Sequence, residues 1–299
     1  MKEKLPILVV AYNRPTMVEK VMHVIQVYRP NRIYIACDGP RFEKEGDRER
    51  VIQTRETLMS AINWECETHT LFRERNVGCA HGVSDAITWF FTNEEYGVII
   101  EDDVIVSQDF FLLCEDLLPR YKEDMQVLQI SSRNTSSRTD ISNTYVYTQV
   151  HHCWGWATWR RAWHEMETYV RSINKLTIPY LVKRLGIFRG CMTYRSFRKY
   201  VASEVEQYND WDTCWYLSIL VRDGLVICPG VNLGKNIGLT DGEHYSANDE
   251  NRPDALVEIG DFIWPIEYND FMRVDKKQKK YDSKFFLKDK LYGLIHKFI

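Results

Sequence analysis

Apolar residues run almost without interruption through Ile7–Ala11, Arg32–Cys37 and Gly97–Ile100. Runs of this length that do not alternate are the pattern of strands buried on both faces. Between them the period changes. After Asn13-Arg14-Pro15, where Pro15 suits the first position of a helix, Val18, Val21, Met22 and Ile25 recur at helical spacing. Arg32–Cys37 ends at the turn Asp38-Gly39-Pro40, and the charged stretch 41–50 leads into a helix over Val51–Ile62. Thr68–Phe72 is a third strand, followed by Asn76-Val77-Gly78 and a helix with Val83, Ile87 and Phe90 on one face. The fourth strand stops at Glu101-Asp102-Asp103.

This alternation predicts an α/β fold with a mostly parallel central sheet flanked by helices. Right-handed crossovers place the loops after parallel strands on one edge, the edge at which open sheets bind ligands. Asn13, Arg14, Asp38, Asn76 and the acidic triplet should therefore meet.

Beyond residue 103 the pattern loosens. Phe110–Leu118 reads as a helix, Val127–Ser131 as a strand, and 131–143 as a polar, mobile loop able to close over a ligand. Helical character returns in 176–208 and 212–221, with a short strand at Leu225–Cys228 and a Gly- and Asn-rich loop over 229–245. No linker separates the parts. The chain divides into 1–103, a fused second lobe over 104–260, and a tail over 261–299. From Lys276 onward the tail carries eight lysines and two aspartates among Phe and Leu residues. A basic amphipathic helix of this kind can lie on an anionic membrane surface or dock on its own domain.

Composition narrows the picture. A net charge of -3 does not suggest a dedicated nucleic-acid binder. The eight cysteines form no CxxC pair, so structural zinc is not expected, and reduced thiols point to the cytoplasm. The N-terminal apolar run is far too short for a signal sequence or a membrane span.

Three consecutive carboxylates after a buried strand repel one another unless a cation offsets them. Mn²⁺ or Mg²⁺ would suit Glu101, Asp102 and Asp103, since hard cations take oxygen ligands and bridge carboxylates to phosphates. An acidic surface turn is the plain alternative. If the chain stays extended, 101 and 103 point one way and 102 the other. Asp38 either caps its own turn or accepts a hydrogen bond from a nucleobase or ribose. Arg14 either grips phosphate or is a solvated turn residue. Arg73, Arg75 and His81 add positive charge near the third strand end. Trp154 and Trp156 could form an aromatic wall for a sugar, with Gly155 between them allowing close backbone approach. Trp159 and Trp163 are expected on one helix, packed in the core. Asp210 and Asp212 either cap the following helix or supply a base, and His244 is a possible metal or phosphate contact.

Together Pro6–Pro15, Asp38 and Val98–Asp103 resemble the GT-A-fold glycosyltransferases, and more closely the N-acetylglucosaminyltransferase family that begins complex N-glycan branching, with its bacterial relatives. His152-Cys153-Trp154-Gly155-Trp156-Ala157-Thr158-Trp159, Asn209-Asp210-Trp211-Asp212, Val231-Asn232-Leu233 and Asn236-Ile237-Gly238 add to the likeness, which spans roughly 5–245.

The resemblance implies that 1–103 binds a nucleotide sugar and 104–260 the acceptor. In that reading Ala11, Asn13, Arg14, Asp38 and His81 belong to the donor site. Asp103 is the direct ligand of Mn²⁺, while Glu101 and Asp102 contact ribose and metal-bound water. Asn209 replaces the first of the family's paired acids, leaving Asp212 and Asp210 as rival bases, with Asp212 preferred. The implied activity is inverting, divalent-metal-dependent transfer from a nucleotide diphosphate sugar to a hydroxyl of a cell-surface glycan precursor, in a bacterial cytoplasmic enzyme whose basic tail is a candidate for peripheral contact with the inner membrane face. A sugar-nucleotide nucleotidyltransferase should carry a glycine-rich phosphate loop after the first strand, and Ala11–Pro15 has no glycine. A non-catalytic glycan-binding protein is the other alternative.

Overall fold

A computed structural model describes residues 3–136, 138, 140–141, 144–166, 176–202, 211–239 and 252–295. The first four strands are β1 (Ile7–Ala11), β2 (Arg32–Cys37), β3 (Glu67–Phe72) and β4 (Tyr96–Glu101), separated by α1 (Pro15–Tyr28), α2 (Asp47–Ser60) and α3 (Cys79–Asn93). They pair in parallel in the order β3-β2-β1-β4. The chain builds outward from β1 through β2 to β3, then returns to place β4 on the other side of β1. The carboxyl ends of β1 and β4 therefore flank a topological switch point, where the crossovers leave a crevice.

The sheet continues through β8 (Trp156–Trp159), β6 (Val127–Ser131), β9 (Leu225–Pro229) and β7 (Tyr145–Thr148), giving eight strands in all. Here it departs from the mostly parallel expectation: β8 runs antiparallel to both β4 and β6, and β7 antiparallel to β9. No helix lies between β6, β7 and β8 among the described residues, and parallel pairing needs a long crossover, usually helical. A two-stranded ribbon, β5 (Val104–Val106) against β10 (Gly234–Asn236), stands beside the switch point.

Strand alternation sorts the core into two layers. Ile7, Val9, Ile33, Ile35, Val98 and Ile100 face α1 and α4 (Gln108–Arg120). Leu8, Tyr34 and Ile99 face α3, α5 (Arg160–His164) and α8 (Trp211–Val221). The pair expected on one helix is split accordingly. Trp159 ends β8 and enters the first layer, whereas Trp163 lies on α5 in the second. Helices α6 (Ile178–Leu185) and α7 (Ile187–Ala202) build a third apolar cluster against α8.

Within the stretch 131–143, expected to be a mobile loop, several described residues are built into the fold. Ser131–Asn134 are buried, and Arg138 donates to Asp275 at 2.7 Å. The basic tail forms α9 (Lys276–Ile295), which docks through polar contacts: Asp282 accepts from Thr148 at 2.9 Å, and Asp289 pairs with Arg252 through two 2.9 Å bonds. The described part of the tail is thus docked on its own domain. None of the helices among the described residues is long and apolar enough to cross a membrane.

Gly155 sits at φ 75°, and a Cβ there would lie 2.4 Å from Val106 Cγ1, so the close approach expected from the sequence is present. Left-handed strain and overpacking both oppose a side chain. Gly155→Ala is expected to lose roughly 2–4 kcal/mol of unfolding free energy in urea titration; an unchanged midpoint would contradict the packing described.

Candidate active site

At the carboxyl ends of β1, β2 and β4 lies a cavity of about 500 Å³. Ala11, Asn13 and Arg14 line it from the β1 end, Asp38 from the β2 end, and Glu101, Asp102 and Asp103 from the β4 end, with Trp154 closing another side. Most of the residues singled out from sequence are thus brought together. His81 is not among them. It is exposed on α3, and its neighbour Gly82 lines the cavity instead, since consecutive helical residues point about 100° apart. Trp156 is also excluded: it is wholly buried and stacks on Trp211 at 5.9 Å, a floor beneath the site rather than its wall. Asp210 and His244 lie outside the described residues.

The acidic triplet does not stay extended. The strand ends at Glu101 and the chain turns at Asp102-Asp103, so both aspartates reach one guanidinium. Arg14 Nη1 stands 2.6 Å from Asp103 Oδ2 and 3.3 Å from Asp102 Oδ1. Asp102 Oδ2 also accepts the Tyr12 N–H at 3.0 Å. From the other side the chain after β10 covers Asp103: Ile237 N donates to its carbonyl at 2.7 Å, and a Cβ on Gly238 would meet Asp103 Oδ2 at 2.6 Å.

One arginine does not neutralise this cluster. Burial pushes the Glu101 carboxyl well above the usual range, with Asp103, Asp102 and Asp212 adding to the shift and Arg14 opposing it. Asp102 is pushed up to about 6, by burial first and then by Asp103, against Arg14 and the Tyr12 N–H. Asp212, the second residue of α8, is thus close enough to bear on Glu101. The Cys153 thiol, which lines the cavity, is raised well above its ordinary value by burial and then by Glu101 and Asp212.

Asp38 caps its own turn and also borders the cavity. Its carboxylate accepts N–H groups from Gly39 at 2.8 Å and Val77 at 3.1 Å while lining the cavity. Burial raises its pKa against these donors and Arg73.

Two supports escaped the sequence reading. Asp47, at the start of α2, is wholly buried and accepts from Asn13 Nδ2 at 2.6 Å, from Arg41 N at 2.8 Å and from the Tyr12 hydroxyl. It fastens the wall formed by Tyr12, Asn13 and Arg41, all of which line the cavity. Arg133, also wholly buried, lies under Trp154 with its guanidinium carbon 4.8 Å from the ring centre, and pairs with Asp254 at 2.5 Å. Neither had a sequence signal beyond its charge.

No protein-family model matches the chain, and no curated protein matches it in sequence. Among solved structures, HddC from Yersinia pseudotuberculosis is similar over 52% of this chain and 77% of its own, at 7% identity and a TM-score of 0.32. The same protein complexed with GMP-PN gives 6% identity, equal coverage and the same TM-score. A likeness this slight carries no argument about the site.

The electrostatics have a consequence for stability. A carboxyl whose folded pKa is raised contributes stability that is fully present below its unfolded value, about 4, and is lost as pH rises through the folded value. For Asp102 that window runs from about 4 to about 6. In metal-free buffer, Asp102→Asn is expected to flatten this part of the stability–pH curve and to match or exceed the parent at pH 7, because an amide oxygen still accepts the Tyr12 N–H. A variant that keeps the full slope, followed by urea titration at each pH, would contradict the assignment.

Proposed function

We propose that the protein is an inverting, divalent-metal-dependent glycosyltransferase of GT-A type that moves a sugar from a nucleotide diphosphate donor to a hydroxyl of a glycan. The observation that carries this reading is the Arg14–Asp103 pair at the switch point between β1 and β4, inside a cavity of about 500 Å³. Carboxylate oxygens there already hold a cationic group within 2.6 Å, and they are the hard donors that Mn²⁺ or Mg²⁺ takes. The residues present fit such an ion, and Asp103 would hold it. Bound there, the ion supplies positive charge against the diphosphate and the departing nucleoside diphosphate.

The chain's own groups do the rest. Asp38, at the far side of the cavity, orients the nucleoside by accepting from base or ribose. With Asp103 holding an ion, Arg14 would be able to turn to the donor phosphates, which a guanidinium can grip through two parallel hydrogen bonds. Ion and donor should therefore bind cooperatively. Trp154, held flat by Arg133, offers an indole face at the cavity wall. Asp212, or Asp210, receives the acceptor hydroxyl's proton as that oxygen attacks the anomeric carbon, and a single displacement inverts configuration there. A glycan acceptor carried on a lipid would fit the basic α9.

Incubation with a panel of nucleotide sugars, with and without Mn²⁺, tests the reading. Metal-dependent release of nucleoside diphosphate is expected; pyrophosphate release would instead favour a nucleotidyltransferase, and silence across the panel a glycan-binding protein. Asp103→Ala should abolish metal-dependent donor binding in calorimetry. Asp212→Asn should leave donor binding intact and slow transfer by about 10²–10⁴-fold; normal transfer would rule Asp212 out as the base.

A further inference from the structure

Behind the acidic triplet lies a second group of ligand atoms. One atom each from His151, Cys153 and Asp212 lies within 4.8 Å of the other two, and among the described residues no other three His, Cys, Asp or Glu side chains come together in this way. The donors are imidazole, thiol and carboxylate. Hard cations avoid a thiol, whereas Zn²⁺ takes all three, normally in tetrahedral sites. Zn–N and Zn–S bonds of about 2.0–2.3 Å place ligands about 3.5 Å apart, so modest side-chain rotation closes the group.

The shell around His151 decides which of its nitrogens carries the proton. Gln129 Nε2 donates to the His152 carbonyl at 2.9 Å, so its Oε1 is the acceptor. That oxygen takes the Trp215 Nε1–H at 2.9 Å and lies 2.8 Å from His151 Nδ1. An amide oxygen facing a ring nitrogen requires that nitrogen to carry the proton. In the neutral ring the proton therefore sits on Nδ1 and the lone pair on Nε2. A histidine that donates one ring N–H to a fixed oxygen while presenting the other nitrogen is the arrangement that orients imidazole towards a metal. Trp156 and Trp211, edge-on at 6.0 and 6.3 Å, hold the ring in place. Access is through the cavity, which Cys153 lines.

We propose that His151, Cys153 and Asp212 form a zinc site, separate from the Asp103 position and of opposite ligand preference. Binding releases the thiol proton to solvent and leaves a thiolate, an imidazole nitrogen and a carboxylate oxygen on the ion, with a fourth position open to water. Zinc there ties up Asp212. If Asp212 is the base, a consequence that rests on the function proposed above, zinc excludes proton transfer while manganese supports it.

The test needs no turnover, so its outcome is independent of that function. Co²⁺ is titrated into the full chain after EDTA treatment, under a phosphine reductant. The expected result is a near-ultraviolet thiolate-to-cobalt band with the visible spectrum of tetrahedral cobalt, removed by one equivalent of Zn²⁺ and unaffected by excess Mn²⁺. Cys153→Ser should abolish the band, whereas Cys191→Ser, at an exposed cysteine outside the cavity lining, should keep it. Asp212→Asn should weaken Zn²⁺ by at least ~10-fold in competition with a chromophoric chelator. No thiolate band in the parent, a band that survives Cys153→Ser, displacement by Mn²⁺, or unchanged zinc affinity in Asp212→Asn would each overturn the proposal.

Discussion

The architecture around the cleft is organised by the cost of gathering carboxylates in one half-buried place. Glu101, Asp102, Asp103 and Asp212 converge from two elements, and Arg14 is the guanidinium that reaches two of them. Like charges this close, partly shielded from water, are tolerated only beside a positive partner. The surrounding structure keeps them there despite the repulsion. Tyr12 donates a backbone N–H to Asp102, the turn after β10 closes on Asp103, and Asp47 locks the loop that carries Tyr12 and Asn13. Rigidity of this kind resembles preorganised electrostatic sites, in which charge is held in place before a ligand arrives.

The same tension gives the cleft two zones with different chemistry. Near its mouth, Asp103 and Arg14 offer oxygen donors and a guanidinium suited to phosphate and hard cations. Behind them, the thiol of Cys153 and the imidazole of His151 are softer, and His151 packs edge-on against Trp156 and Trp211. Glu101 lies between the zones and feels the charges of Asp103 and Asp212 alike.

How much of this could be read from the sequence followed from how each part is stabilised. The parallel half was legible because strands covered on both sides must be continuously apolar, and Ile7–Ala11, Arg32–Cys37 and Val98–Ile100 have no other reading. Their ends then located Arg14, Asp38 and the triplet. The antiparallel half was not. Tyr145–Thr148 and Trp156–Trp159 are four-residue strands, too short for period to distinguish strand from helix, so Trp156 passed for a ligand wall. His81 missed the cavity by one helical step. Asp47 lies among other acids in the charged stretch 41–50, and only the fold distinguishes the buried one. The tail read as amphipathic because lysine and phenylalanine are conspicuous, yet α9 docks through Asp282 and Asp289, residues whose partners, Thr148 and Arg252, are distant in sequence.

The insertion of β8 between β4 and β6 bears on how the protein is made. Residues 7–101 can complete the parallel quartet on their own pairings, but the open edge of β4 is covered only when residues 156–159 arrive, with Trp156 opposite Ile99. During synthesis the growing polypeptide therefore passes through a stage in which one apolar strand edge, tipped with acids, waits for more than fifty residues to leave the ribosome. The acids at the tip of that strand, whose mutual repulsion strains the finished cleft, also discourage one nascent chain from zipping onto another.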